Sequence, residues 1–166
     1  MLAWDWGVAK DIGLFAIAAY GAALSTFNWR QAARRDKRSL DIRIRTAMPT
    51  YGARLGPPWA CIDATNSGSR PVTVNVLTFA LPDGRRLFPM AGNGFPGLES
   101  TALPATLPDG GTATAVMSYG DIAAALRSAG HDGVVSLTPV AEDSVGGIHR
   151  GARLEVNILE FERMSS

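Results

Sequence analysis

Apolar and polar residues follow two different patterns along this chain, and the change falls near residue 40. Residues 12–27 form a nearly continuous apolar stretch, with Trp4 and Trp6 before it and Trp29 after it. Beyond residue 40 apolar side chains recur at every second position over several short segments. The pattern predicts one hydrophobic helix followed by a β-rich domain.

The apolar stretch has nearly the dimensions of a membrane anchor. From Ile12 to Phe27 a helix covers about 24 Å, and from Trp6 to Trp29 about 35 Å, against a bilayer core of about 30 Å. Tryptophans at both ends are typical of membrane interfaces. We expect a single transmembrane helix within residues 1–29. A cleaved signal peptide and a buried helix of a soluble domain are the alternatives.

A basic run follows the helix, over a linker assigned to residues 30–39. Positive charge on one side of a span predicts a cytoplasmic C-terminal side, and lipid head groups attract such charges. We therefore expect the inner membrane, with the N-terminus outside and the β-domain in the cytoplasm. The single Cys61 agrees with a reducing compartment. Nucleic acid is a weaker explanation, because no aromatic residues are interleaved with the run. The head-group contacts are assigned to Arg30, Arg34, Arg35, Lys37 and Arg38.

Small residues recur four apart within the helix. The pairs are Ala18 with Ala22 and Gly21 with Ser25. Such spacing lets a second helix approach closely, which predicts docking on a membrane partner or a homo-oligomer. Alanine-rich helices also acquire this spacing by chance, so the signal is weak.

Alternation and turn residues predict about seven strands and one short helix in residues 40–162, with a tail at 163–166. A change of parity near Val76 and Leu77 predicts a bulge or a bend. Asp121 is expected to cap the helix and Gly130 to end it. The predicted strands lie at residues 40–46, 59–65, 72–81, 85–90, 112–119, 134–140 and 152–161.

The segment 91–108 is rich in Gly and Pro and is predicted to be a loop. With its flanks it carries apolar side chains that could meet a protein partner: Phe88, Met90, Phe95 and Leu98. The alternative is a lid that packs these side chains onto the domain itself. Many short strands separated by turns favour an immunoglobulin-like antiparallel β-sandwich.

Several short motifs resemble a loose group of uncharacterised bacterial single-pass membrane proteins. These are Trp-Asp-Trp at residues 4–6, Asn-Trp-Arg at 28–30, the turn at 66–73, the Leu-Pro-Asp-Gly-Arg hairpin at 81–85 and the helix at 121–126. The resemblance implies a cytoplasmic immunoglobulin-like domain on a membrane tether. It implies no active site.

Catalytic signatures are sparse. No nucleophile elbow or phosphate loop occurs in the sequence, and Cys61, His131 and His149 lie far apart without zinc-type spacing. We expect no enzyme activity, no cofactor and no metal. The expected function is a membrane-tethered binding or scaffolding module with a protein partner. The alternative is a small accessory subunit of a larger membrane complex, docked through its helix.

Overall fold

The computed structural model describes the backbone of residues 6–35, 38–90 and 94–165, and within them the side chains of residues 13–32, 38–90 and 94–165. It divides into two compact units, residues 1–37 and 38–166. The helices are α1 (Trp6–Arg35), α2 (Tyr119–Ser128) and α3 (Ile158–Ser165). The strands are β1 (Leu40–Ala47), β2 (Thr50–Tyr51), β3 (Arg54–Leu55), β4 (Trp59–Asn66), β5 (Val72–Ala80), β6 (Arg86–Leu87), β7 (Gly94–Phe95), β8 (Leu98–Glu99), β9 (Ala105–Leu107), β10 (Thr112–Ser118), β11 (Val134–Asp143), β12 (Ile148–Arg150) and β13 (Leu154–Asn157).

In the first unit the structure describes α1, which covers residues 6–29 of the predicted anchor and continues to residue 35 of the predicted linker. Its 30 residues correspond to about 45 Å. Every described side chain from residue 13 to residue 32 is exposed. Among the described residues, no helix combines the length and the apolar character needed to cross a bilayer. This finding gives no support to the predicted span.

The second unit is mainly β, as predicted, and is built on two antiparallel sheets. The first sheet has the order β1-β4-β10. The second has the order β12-β11-β5-β6, with β13 also pairing with β11 and β9 with β5. The pairs β2–β3 and β7–β8 are small separate hairpins.

One hydrophobic core is shared by both sheets and by the helices α2 and α3. Alternation decides which side chains enter it, because successive residues of a strand point to opposite faces. Leu40 and Ile42 of β1 are buried while Arg43 is exposed. The largest fully buried apolar side chains are Phe79, Ile62, Ile122, Leu126, Leu137 and Ile158.

The predicted change of parity in β5 is confirmed. Val72 and Val74 are buried, Asn75 is exposed, and Leu77 and Phe79 are buried again. The pairing with β11 shifts at the same place, since Glu142 lies opposite Val76 and Asp143 opposite Val74. β5 therefore has one extra residue between Val74 and Val76. This residue switches the core-facing positions from even-numbered residues to odd-numbered ones.

The helix α2 is confirmed, but its predicted cap is wrong. The Oγ atom of Ser118 accepts a hydrogen bond from the Asp121 backbone N–H at 3.0 Å. Ser118 is therefore the N-cap, and Asp121 lies in the first turn, where a carboxylate complements the helix dipole. Gly130 follows the helix end with φ +82°, as expected of a residue after a C-cap.

The strand predicted for residues 152–161 is wrong over its second half. β13 ends at Asn157, and α3 runs from Ile158 to Ser165, which includes most of the predicted tail. The helix buries Ile158 and Phe161, three residues apart, as one helical face does. The ring of Phe161 stacks on Tyr119 of α2 with centroids 3.8 Å apart.

The segment 91–108 contains more structure than the predicted loop. It holds the β7–β8 hairpin and the strand β9, which pairs with β5. The Thr101 N–H donates to the Thr114 carbonyl at 2.7 Å, and the Val116 N–H donates to Ser100 Oγ at 3.1 Å. Residues of this segment therefore supply hydrogen-bond partners to β10.

Candidate functional site

A cleft lies on the face of the second sheet that points away from the shared core. Leu137 and Ala141 of β11 belong to that core, so the intervening residues Thr138 and Val140 point to the other face. Thr138 is paired with Ala80, which is itself paired with Arg86. Directly opposite residues share a face, so Arg86 lies on the cleft side of the sheet.

Two further arginines approach the cleft from the other edge. Arg150 of β12 lies opposite Val140, and Arg153 follows in the connection to β13. Three strand spacings separate Arg86 from Arg150, about 14 Å between strand axes, so two long side chains can reach over the same floor. The cleft has a volume of about 690 Å³. It is lined by Ala80, Leu81, Pro82, Gly84, Arg86, Ser136, Thr138, Val140, Arg150, Gly151 and Arg153.

The charge of this cleft is positive. Arg86 Nη1 lies 2.5 Å from Glu142 Oε1, which compensates one of the three cations. Arg150 and Arg153 are exposed, and neither forms an ion pair within the described part of the chain. Glu155 lies opposite Ser136 on the same face but does not line the cleft. The lining therefore carries two uncompensated guanidinium groups.

A polar atom at the floor of the cleft lacks a partner. Ser136 Oγ is buried and has no hydrogen bond to any described residue. An unsatisfied buried hydroxyl costs about 1–3 kcal/mol, so natural proteins contain few of them. It stands between two residues, Val135 and Leu137, whose side chains fill the core.

The predicted anchor residues fall partly outside the described residues. Trp4 and Lys37 lie outside them, and for Trp6, Ile12, Arg34 and Arg35 only the backbone is described. Phe27, Trp29, Arg30 and Arg38 are exposed, as are all four small residues of the predicted docking face, Ala18, Gly21, Ala22 and Ser25. A Cβ added to Gly21 would meet nothing within 4 Å.

The four residues of the predicted partner loop do not behave alike. Phe88 and Met90 are exposed. Phe95 is half-buried and packs edge-to-face on Trp59, with ring centroids 5.9 Å apart, and Leu98 is also half-buried. Phe95 thus packs on the domain itself, as the alternative expected, whereas Phe88 and Met90 remain open.

Both histidines are paired with aspartates at turns. His131 Nε2 lies 3.1 Å from Asp83 Oδ2, and His149 Nε2 lies 3.1 Å from Asp143 Oδ2. The hydrogen bond from the Arg85 side chain lowers the pKa of Asp83 to about 2. Burial by itself would raise the pKa of Asp143, but hydrogen bonds from His149 and from the 143–147 turn outweigh it and lower that pKa.

Cys61 and Asp63 lie on the central strand of the first sheet. Cys61 is fully buried, and burial raises the pKa of its thiol. Asp63 has the partners that a poorly exposed carboxylate needs, because Arg45 Nε approaches it to 2.5 Å and Thr114 Oγ1 donates to it at 2.7 Å. No three His, Cys, Asp or Glu side chains among the described residues are placed to hold a metal ion.

Sequence reasoning did not identify the cleft, because its arginines come from three separate segments. A partial signal was present, since Arg150 and Arg153 are three apart around the start of the strand predicted for residues 152–161. Only the pairing of β12, β11, β5 and β6 brings them to the same face as Arg86.

Comparisons with known proteins add little to this geometry. No family model and no curated protein matches the chain. Among solved structures, a match is the X-ray structure of Northeast Structural Genomics Consortium target SoR45, with 10% identity and a TM-score of 0.30. The match covers 72% of this chain and 86% of the other. A likeness at that score carries no argument about fold or function.

Proposed function

We propose that the chain is a non-enzymatic binding module in which α1 tethers an immunoglobulin-like domain to the inner membrane, with the domain in the cytoplasm. The observation that carries this proposal is the unburied apolar surface of α1. Phe15 is 77% exposed and Ile17 71%, and Leu14, Tyr20, Leu24, Phe27 and Trp29 are exposed as well. A monomeric soluble protein rarely leaves so much contiguous apolar surface in water.

The direction of the tether follows from the charges. The basic residues stand after the apolar stretch, and Arg30 and Arg38 are exposed. Positive charge favours the cytoplasmic leaflet, where each basic residue near an anionic surface contributes about 1 kcal/mol.

The immunoglobulin-like assignment is supported by strand order. In constant-type immunoglobulin domains, strands A, B and E share one sheet and strands C, F and G the other. The first sheet, β1-β4-β10, corresponds to strands A, B and E. In the second sheet β5 corresponds to strand C and β11 to strand F, and β12 and β13 take the place of strand G. The helix α2 then occupies the E-to-F connection.

A binding role suits the titratable residues better than catalysis. Asp143 holds a turn through hydrogen bonds from the backbone N–H groups of Val145 and Gly147, and Asp83 accepts one from the Arg85 N–H. Carboxylates occupied in this way stabilise loops.

Vesicle flotation of the full chain tests the tether. We expect the chain to float with phosphatidylcholine vesicles, and the double variant Phe15→Glu/Ile17→Glu to remain at the bottom of the gradient. The control is Phe88→Glu/Met90→Glu, which makes the same kind of change on exposed apolar residues of the domain and should float normally. The tether is refuted if the unmodified chain stays at the bottom of the gradient in the presence of vesicles. It is also refuted if the variant with both helix residues changed floats as well as the unmodified chain.

The second candidate function is an accessory subunit that docks through the small-residue face of α1. The exposed face of small side chains at Ala18, Gly21, Ala22 and Ser25 favours it, because small residues four apart let a partner helix approach closely. Gly21→Leu should abolish co-purification of a membrane partner or self-association in crosslinking. Gly13→Leu is the control, since a Cβ at Gly13 also meets nothing and the residue lies on another side of the helix.

A further inference from the structure

We propose that the cleft lined by Arg86, Arg150 and Arg153 binds a phosphate group. The inference deepens the proposed function and rests on it, since it names the ligand class of the binding module. The source of the phosphate is either a free phosphate or the phosphodiester of a lipid head group. Both present the same anionic oxygens to the cleft.

The first support is the arrangement of the three arginines around one floor. They come from both edges of the second sheet, from β6 on one side and from β12 with its following connection on the other. A guanidinium group presents paired N–H donors that match two phosphate oxygens. Convergence from two sides lets more than one such contact reach the same anion.

The second support is charge. Glu142 compensates Arg86, and no acidic side chain lines the cleft opposite Arg150 and Arg153. Several other described arginines do pair with carboxylates, as Arg43 does with Asp41 and Arg127 with Glu162. An anion in the cleft would provide the counter-charge that Arg150 and Arg153 lack.

The third support is the form of the cleft. Its volume of about 690 Å³ is within the usual range of small-ligand sites, about 300–1,000 Å³. The floor mixes apolar side chains, such as Ala80 and Val140, with the hydroxyl-bearing Ser136 and Thr138. Such a lining accommodates the carbon skeleton of a phosphate ester beside its charged group.

The test uses the full chain in a non-ionic detergent, which keeps it dispersed whether or not α1 enters lipid. One arm titrates inorganic phosphate against chloride at equal ionic strength. The other arm titrates a water-soluble short-chain phosphatidylglycerol against the matching phosphatidylcholine. Binding is followed by calorimetry and by the backbone amide NMR signals of Ser136, Thr138, Arg150 and Arg153.

The variant Arg150→Gln/Arg153→Gln should weaken binding about tenfold or more, as expected for losing charge-assisted contacts. The control Arg43→Gln/Arg54→Gln removes the same charge at exposed positions outside the cleft and should bind as the unmodified chain does. All four side chains are exposed, so the fold should survive in both variants.

Binding of inorganic phosphate that the cleft variant loses supports a free-phosphate site. Binding of phosphatidylglycerol alone, lost in the same variant, supports a lipid head group as the source. The proposal is overturned if neither anion binds better than its reference, or if the control loses as much affinity as the cleft variant. A chain that floats with vesicles but fails this titration retains the tether and loses only the phosphate site.

Discussion

Asn66 offers a sharp test of how the β-domain is held together. Its side chain is fully buried. The Nδ2 group donates to the carbonyls of Arg70 at 2.8 Å, Leu107 at 3.0 Å and Pro108 at 3.1 Å, and Oδ1 accepts from the Gly68 N–H at 3.0 Å. One amide thus joins the end of β4 to the following turn and to the end of β9.

Replacing Asn66 by Ala removes these side-chain hydrogen bonds from a fully buried position. At about 1 kcal/mol for each net hydrogen bond, the expected loss of unfolding free energy is about 2–4 kcal/mol. With a typical urea dependence of about 2 kcal/mol per M, the unfolding midpoint should fall by about 1–2 M with an unchanged slope.

Replacing Asn66 by Asp should make the free energy of unfolding depend on pH, in a direction that can be measured. A carboxylate facing carbonyl oxygens is disfavoured, so the pKa of this Asp in the folded chain should rise above its ordinary value near 3.9. The folded chain then binds more protons than the unfolded one. Stability therefore falls as pH rises from about 4 through the raised pKa, and part of it returns on acidification.

Urea unfolding followed by β-sheet circular dichroism at pH 4.5 and pH 7 measures both effects. Asn75→Asp is the control, because Asn75 is exposed and the same chemical change there should alter stability by less than about 0.5 kcal/mol. An Asn66→Asp chain as stable as the parent at pH 7, or one whose deficit does not shrink at pH 4.5, would refute the reasoning.

Three further predictions use single residues. The carboxyl NMR titration of Asp83 should have its midpoint near pH 2, so its charged contact with Arg85 persists above about pH 4 and weakens as pH falls through 2. In Arg85→Ala the midpoint should move up toward 3.8, and an unmoved midpoint contradicts the assigned cause. Gly151→Ala should lower the free energy of unfolding in urea by about 1–3 kcal/mol, because the new Cβ would lie 2.5 Å from the Ile42 carbonyl oxygen. An unchanged urea midpoint would count against that close packing. Ser136→Ala should leave the urea midpoint unchanged or raise it, since the hydroxyl it removes has no described partner, and a loss above about 1 kcal/mol would reveal one.

Much of the β-domain follows from local sequence. Period-two alternation identified β1 and β10, the turn residues after residue 65 marked the end of β4, and the change of parity in β5 located its bulge. These signals depend only on residues that are neighbours in the sequence. The helix α3 was missed although Asn157 and Glu160 are spaced like an N-cap and its N3 partner. Alternating residues in β13 led into that helix and obscured its start.

The tertiary structure alone decided the candidate site and the buried role of Asn66. The three cleft arginines belong to segments up to 67 residues apart in sequence, from Arg86 to Arg153, and they share a face only because β12, β11, β5 and β6 pair in that order. The pairing register is set by which residues the core buries, so no local pattern around any one arginine contains it. The sequence by itself determined most of the long elements, because their signals are local, while the packing of the two sheets decided which side chains meet.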